Sequence, residues 1–148
     1  MLRKHLLLLS ALVLCTIGLF TACKKSSSSP SSSFSATMNG TTISGVSQFN
    51  LSDTLFALIG AKSLSGTSPS YPYFSFNINN FKGKGTYNLD STLNVSLAVD
   101  STTTNIIYGV YGSVVITASS SSSVSGTFSF TCADSTKITS GAFTATVQ

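Results

Sequence analysis

Reactive side chains are scarce in this chain, and the few present stand in definite settings. Cys23 ends an apolar stretch and follows the small residues Thr21 and Ala22, a setting that suits cleavage before the cysteine and acylation of its thiol. Asp53, Asp90, Asp100 and Asp134 are each followed by Ser or Thr and then by an aliphatic residue or Thr, so Thr54, Ser91, Ser101 and Ser135 are hydroxyls in a repeated local context. Two such carboxylates close together would serve as the acid and nucleophile of a glycosidase. With Asn77, Asn79, Asn80 and Asn88 they would offer oxygens to calcium, but no loop has helix-loop-helix calcium spacing. Each aspartate falls at an expected turn or strand end, where Asp caps local backbone, and the solvated-turn reading is the simpler one. Cys132 shares a strand face with Phe130, as expected for a buried, inert thiol.

What is missing narrows the chemistry further. From Cys23 onward there is no His, Arg, Glu or Trp; the single histidine is His5. That removes histidine-activated nucleophiles, histidine-ligated zinc and arginine forks on phosphate. The expectation is a protein without catalytic residues, cofactor or metal.

The N-terminal stretch supplies an address. Arg3 and Lys4 precede the uncharged run Leu6 to Phe20, the layout of a secretory signal. Fifteen helical residues would cover only about 22 Å of a hydrocarbon core about 30 Å thick. Leu19-Phe20-Thr21-Ala22-Cys23 resembles a bacterial lipobox, with Phe20 where Leu is usual. This divides the chain into a signal peptide, 1–22, a lipidated Cys23 with a Ser-rich tether, 23–33, and a domain, 34–148. Cys15, inside the apolar run after Leu14, reads as filler. The tether, Lys24 to Ser33, has nothing apolar to bury and an expected reach of roughly 17 Å. Lys24 and Lys25 can touch anionic headgroups or simply solubilise the linker. The net charge of +4 belongs to this N-terminal part: from Phe34 onward four lysines balance four aspartates, and no basic face for nucleic acid is expected.

Beyond the tether the residues alternate with period two between turn signals. Phe34 to Met38, Asn39-Gly40 and Thr41 to Ser44 read as a hairpin with a type I′ turn. Thr54 to Ala61 reads as a strand apolar on both faces, and Ser63 to Ser70 as a loop. Phe74, Phe76 and Ile78 alternate with polar neighbours, as do Leu93, Val95, Leu97 and Val99. Asn105 to Ala118 is a long strand in which Gly109 and Gly112 mark a bend or bulge. Phe128, Phe130 and Cys132 share a face of the penultimate strand; Phe143, Ala145 and Val147 share one in the last. These elements predict a single all-β domain, an antiparallel β-sandwich or barrel, the pattern leaving that choice open. Tyr71-Pro72-Tyr73-Phe74 and Tyr108-Gly109-Val110-Tyr111 either expose aromatic faces to sugar or protein or pack across the sheet.

The phrases Phe34-Ser-Ala-Thr-Met-Asn-Gly-Thr41, Gly85-Thr-Tyr-Asn-Leu89, Val124-Ser-Gly-Thr-Phe-Ser-Phe130 and Ser140-Gly-Ala-Phe143 resemble a family of lipoproteins of Bacteroidota. That resemblance implies an envelope location and a small β domain, and it carries no catalytic residue over. The aspartate phrases resemble the O-glycosylation signal of the same bacteria, which implies sugar on one or more of Thr54, Ser91, Ser101 and Ser135. Surface-exported lipoproteins of that group tend to carry acidic residues after the cysteine; Lys24-Lys25-Ser26 departs from this and favours the periplasmic face of the outer membrane. The expected function is a lipid-anchored, non-catalytic binding or structural module. The alternative is a carrier holding a small apolar ligand inside a closed barrel.

Overall fold

Short alternating segments separated by turn residues can satisfy their backbone only by pairing edge to edge, and here the pairing closes on itself. A computed structural model describes residues 31–65, 68–101 and 106–148. The strands are β1 (Ser33–Met38), β2 (Thr41–Ser52), β3 (Leu55–Ala61), β4 (Leu64–Ser65), β5 (Ser68–Pro69), β6 (Tyr73–Ile78), β7 (Gly85–Asn88), β8 (Leu93–Ala98), β9 (Ile106–Ser119), β10 (Ser123–Cys132) and β11 (Lys137–Val147). Around the ring, β1, β2, β3, β6, β8, β9, β10 and β11 pair in that order, and β11 returns to β1. Each pairing in the ring is antiparallel, giving a closed eight-stranded barrel. The choice the sequence leaves open between sandwich and barrel is settled by this closure, which removes free edges from the ring. Strand β7 pairs with the far half of β9, on the edge that β8 leaves after Tyr108, and β4–β5 is a separate hairpin.

The Asn39-Gly40 turn has φ of 47° and 85°, the two positive angles its type requires. The inward face of the barrel is apolar and the outward face largely polar. Phe34, Phe49, Phe56, Phe74, Phe76, Phe128, Phe130 and Phe143 are buried and pack ring against ring. Phe81 stacks on Phe56 at 4.7 Å and, with Tyr87, covers one end. Rings this large fit because glycines face them: a Cβ on Gly60 would overlap the Phe34 ring, and one on Gly141 the Phe128 ring. An eight-stranded barrel has an interior just wide enough for side chains to fill, and here phenylalanine and aliphatic side chains occupy it.

Among the described residues the single buried polar side chain, Ser47, sits where β1 enters the ring. Its hydroxyl lies 2.8 Å from the Ser33 carbonyl and 3.0 Å from that of Thr144. Just past this point β11 meets β2 directly, Thr146 opposite Gln48.

Several expectations need correcting. The strand beginning near Thr54 is not apolar on two buried faces: Phe56, Leu58 and Gly60 point inward, while Leu55 is exposed and Ala57 and Ile59 are half-buried under the barrel's outer surface. Within the stretch expected as a loop, Leu64 and Ser65 pair with Pro69 and Ser68 as the short strands β4 and β5. Val147 does not share the burial of Phe143 and Ala145, because β11 there has run past the end of β1. Cys23, the signal and residues 24–30 lie outside the described residues.

Because successive ring strands reverse direction, the connections sort onto two ends. The end where β1 begins, reached by the tether, holds the β2–β3 turn, the β6–β8 segment, the β9–β10 turn and the C-terminus. The distal end holds the β1–β2 and β10–β11 turns and the β3–β6 and β8–β9 connections.

Candidate functional site

The four aspartates do not converge on one centre. Asp53 and Asp90 lie in connections at the tether end, and Asp100 and Asp134 in connections at the distal end. Asp90 and Asp134 instead serve their own turns in the same way. The Asp90 carboxylate accepts the Thr92 backbone N–H at 2.6 Å and the Thr92 hydroxyl at 2.7 Å. The Asp134 carboxylate accepts the Thr136 backbone N–H at 2.9 Å and its hydroxyl at 2.8 Å. Each clamp leaves the serine between its ends, Ser91 or Ser135, exposed, and Ser135 adopts φ of 72°. Thr54 is exposed in the β2–β3 turn and Ser101 in the β8–β9 connection. Thus all four hydroxyls singled out from the sequence are at the surface, two at each end. Among the described residues no three His, Cys, Asp or Glu gather closely enough to hold a metal ion.

The clamps set the charge of their carboxylates. For both, the threonine N–H first and the threonine hydroxyl second hold the carboxyl below its ordinary 3.8. A depressed folded value means that the clamp's contribution to stability is present above 3.8 and lost as pH falls. Titration by NMR should therefore place both midpoints below 3.8.

Cys132 is buried inside the barrel, and burial first, then the nearby Asp134 charge, pushes its thiol up to about 11. Native protein at pH 8 is therefore expected to resist iodoacetamide and to react fully once unfolded, as mass spectrometry would read. The sign at high pH follows: the folded value lies above the unfolded one, so the thiol's contribution is intact below about 9 and is lost as pH rises toward 11.

The outward aromatic residues divide into two groups. Tyr71 leans on Tyr73 with ring centres 5.3 Å apart. Tyr87 stacks on Phe81, and its hydroxyl accepts the Lys82 N–H and donates to the Gly83 carbonyl. Tyr108 and Tyr111 differ: they are 63% and 76% exposed and make no ring pair with another aromatic among the described residues. Alternation alone would send these two to opposite faces. The register places Tyr111 opposite Thr131 but Gly109 opposite Cys132, so β9 holds one extra residue between them, Val110. Past this bulge the inward parity switches from Ile107 and Gly109 to Val114 and Ile116, and both tyrosines face out. Gly112 is part of the device, having φ of 133° and lying so close to the Ser129 carbonyl that a Cβ would overlap it.

Val110 is exposed between the two tyrosines, and Ile106 is exposed beyond Tyr108 toward the distal end. Shallow grooves flank this face: one of about 170 Å³ beside Asp90 and Asn94, and one of about 250 Å³ beside Ser129, Thr131 and Lys137. A further open recess of about 420 Å³ lies at the distal mouth, lined by Met38, Leu97, Val99, Ile107 and Asp134.

Comparisons of the chain with protein-family models, with curated proteins and with solved structures find no match.

Proposed function

We propose that this chain is a lipid-anchored protein of a bacterial envelope, held by an acylated Cys23 on the periplasmic face of the outer membrane, whose barrel is a rigid, non-catalytic binding module. The observation that carries the reading is the β9 bulge, which turns Tyr108 and Tyr111 outward together on a barrel whose interior is occupied by phenylalanine rings. Exposed aromatic residues without packing partners recur where proteins bind ligands. The barrel's polarity supports anchoring by lipid. Spanning barrels are apolar outside and polar within, whereas this one buries phenylalanine and shows Ser44, Ser75, Asn77, Asn94, Ser96, Thr127 and Ser129 on its outward faces. The dispersed and clamped aspartates support a non-catalytic reading.

A second reading, a carrier of a small apolar molecule, is compatible with the closed barrel. Its seat would be the distal recess, since phenylalanine rings occupy the interior. Native mass spectrometry of the protein from its own host separates the two. The module reading expects the mass of an acylated polypeptide starting at Cys23, with hexose-sized increments on one or more of Thr54, Ser91, Ser101 and Ser135 and no retained apolar molecule. One apolar molecule held per chain would establish the carrier, and an unacylated polypeptide would remove the anchor.

A further inference from the structure

We infer that the Tyr108–Tyr111 face binds a neutral, hydroxyl-rich polysaccharide, an inference that rests on the binding-module reading and names its ligand. Four features favour this occupant. The first is area. A tyrosine presents about 150–250 Å², so two at the observed exposures offer on the order of 300 Å², and with the less exposed Ile106 and Val110 beside them the patch still falls well short of the roughly 800 Å² that each partner gives to a stable protein interface. The second is spacing. Tyr111 stands opposite Thr131, and the Tyr108 carbonyl accepts the Ala133 N–H, so the two tyrosines are two residues apart along β10, about 7 Å. Adjacent units of an extended sugar chain can lie across such a pair, each setting its C–H face on a π face.

The third feature is the flanking chemistry. Asn94 lines the groove on one side, Ser129 and Thr131 the groove on the other, and a charge of each sign, Asp90 and Lys137, stands beyond them. Short hydroxyls and an amide are donors and acceptors matched to sugar hydroxyls, and opposite charges on the two flanks disfavour a polyanion. The fourth is rigidity. The face is built on a closed barrel strand fixed by the bulge, so little ordering cost falls on binding. Its place on the distal half of β9 leaves it open to a polymer while the other end is tethered.

The test is affinity electrophoresis of the full acylated chain in mild detergent, through gels containing soluble β-glucan, xylan, α-glucan or mannan, with heparin as a polyanion control. Retardation by at least one neutral polymer and none by heparin is expected. Tyr108→Ala and Tyr111→Ala should each weaken that retardation about tenfold, while Tyr71→Ala, outside the face, leaves it unchanged. Circular dichroism of each variant should match the parent, both side chains being exposed. No retardation by any neutral polymer, or retardation that survives the Tyr108→Ala/Tyr111→Ala double variant, would overturn the inference. The module reading fails separately: crosslinked adducts formed in host cells and lost in that double variant would preserve it while the sugar assignment falls, and adducts unchanged by the double variant would end both.

Discussion

Phe128→Ala is expected to destabilise the barrel by about 3–5 kcal/mol, the range for emptying a phenylalanine site in a packed core. The ring centre of Phe128 lies 4.8 Å from that of Phe76 and between 5.6 and 6.3 Å from those of Phe34, Phe74, Phe130 and Phe143, so one truncation removes contacts on every side. Its backbone sits on β10 between β9 and β11, and the ring covers Gly141, which has no side chain to move into the space. A strand hydrogen-bonded on both edges of a closed ring cannot shift inward to fill the hole. Since small domains are stable by only about 5–15 kcal/mol, the loss should lower the thermal midpoint by roughly 10–20 °C. Tyr111→Ala, on the outside, should stay within about 0.5 kcal/mol of the parent. A loss below about 1 kcal/mol for Phe128→Ala would mean that the interior is not close-packed, and would reopen the barrel to an internal ligand.

Cys23→Ser is expected to move nearly all of the protein from the detergent-rich to the aqueous phase in a cloud-point partition. From Lys24 to Ser33 the chain has no apolar residue, and among the described residues no helix is long and apolar enough to cross a membrane. Among the described residues the outward strand faces carry Ser75, Asn77, Asn94, Ser96, Thr127 and Ser129, unlike the continuous apolar band of a spanning barrel. Two basic residues, Lys24 and Lys25, contribute on the order of 1 kcal/mol each near an anionic surface, too little to hold a protein there. More than one acyl chain is enough for stable anchoring, because burial gains about 0.8 kcal/mol per CH₂. Unchanged partitioning of the serine variant would refute lipid anchoring at this residue.

Where sequence and structure agree, one local rule decides the outcome without competition. Asn39-Gly40 makes its turn whatever surrounds it, and Phe74, Phe76 and Ile78 lie inward because β6 keeps one register with β3 and β8 along its whole length. Strand β2 was legible only to Ser44. Its continuation to Ser52 carries Gly45, Ser47 and Asn50, which break the hydrophobic pattern for tertiary reasons. A Cβ at Gly45 would overlap the Ala61 carbonyl where β2 leaves β1 for β3, and the Ser47 hydroxyl serves the carbonyls of Ser33 and Thr144. Closure of the barrel was not legible, because pairing between strands as far apart in sequence as β1 and β11 leaves no local mark.

The candidate site shows the same division. The aromatic character of Tyr108 and Tyr111 and the glycines around them were visible, and so was a bulge near Gly109 and Gly112. That the bulge brings both tyrosines to one face is a property of register with β10, where one extra residue reverses the parity from Tyr111 to Ile116. The Asp-Ser-Thr turns were legible as turns from local hydrogen bonding, and the two clamps of identical form at Asp90 and Asp134 follow from that rule. The side of the barrel on which each turn lies depends on strand order, which alternation does not encode.

On the proposed reading, this barrel binds through the outward face of β9 and not through its interior. A photoreactive residue placed at position 111, and separately at Val99 on the distal mouth, in the acylated protein in its own host cells tests this most directly, with intact mass as the readout. Adducts of defined added mass are expected at position 111, lost with Tyr108→Ala, and none are expected at the mouth. Adducts confined to position 99, with position 111 unmodified, would contradict it and assign binding to the barrel opening.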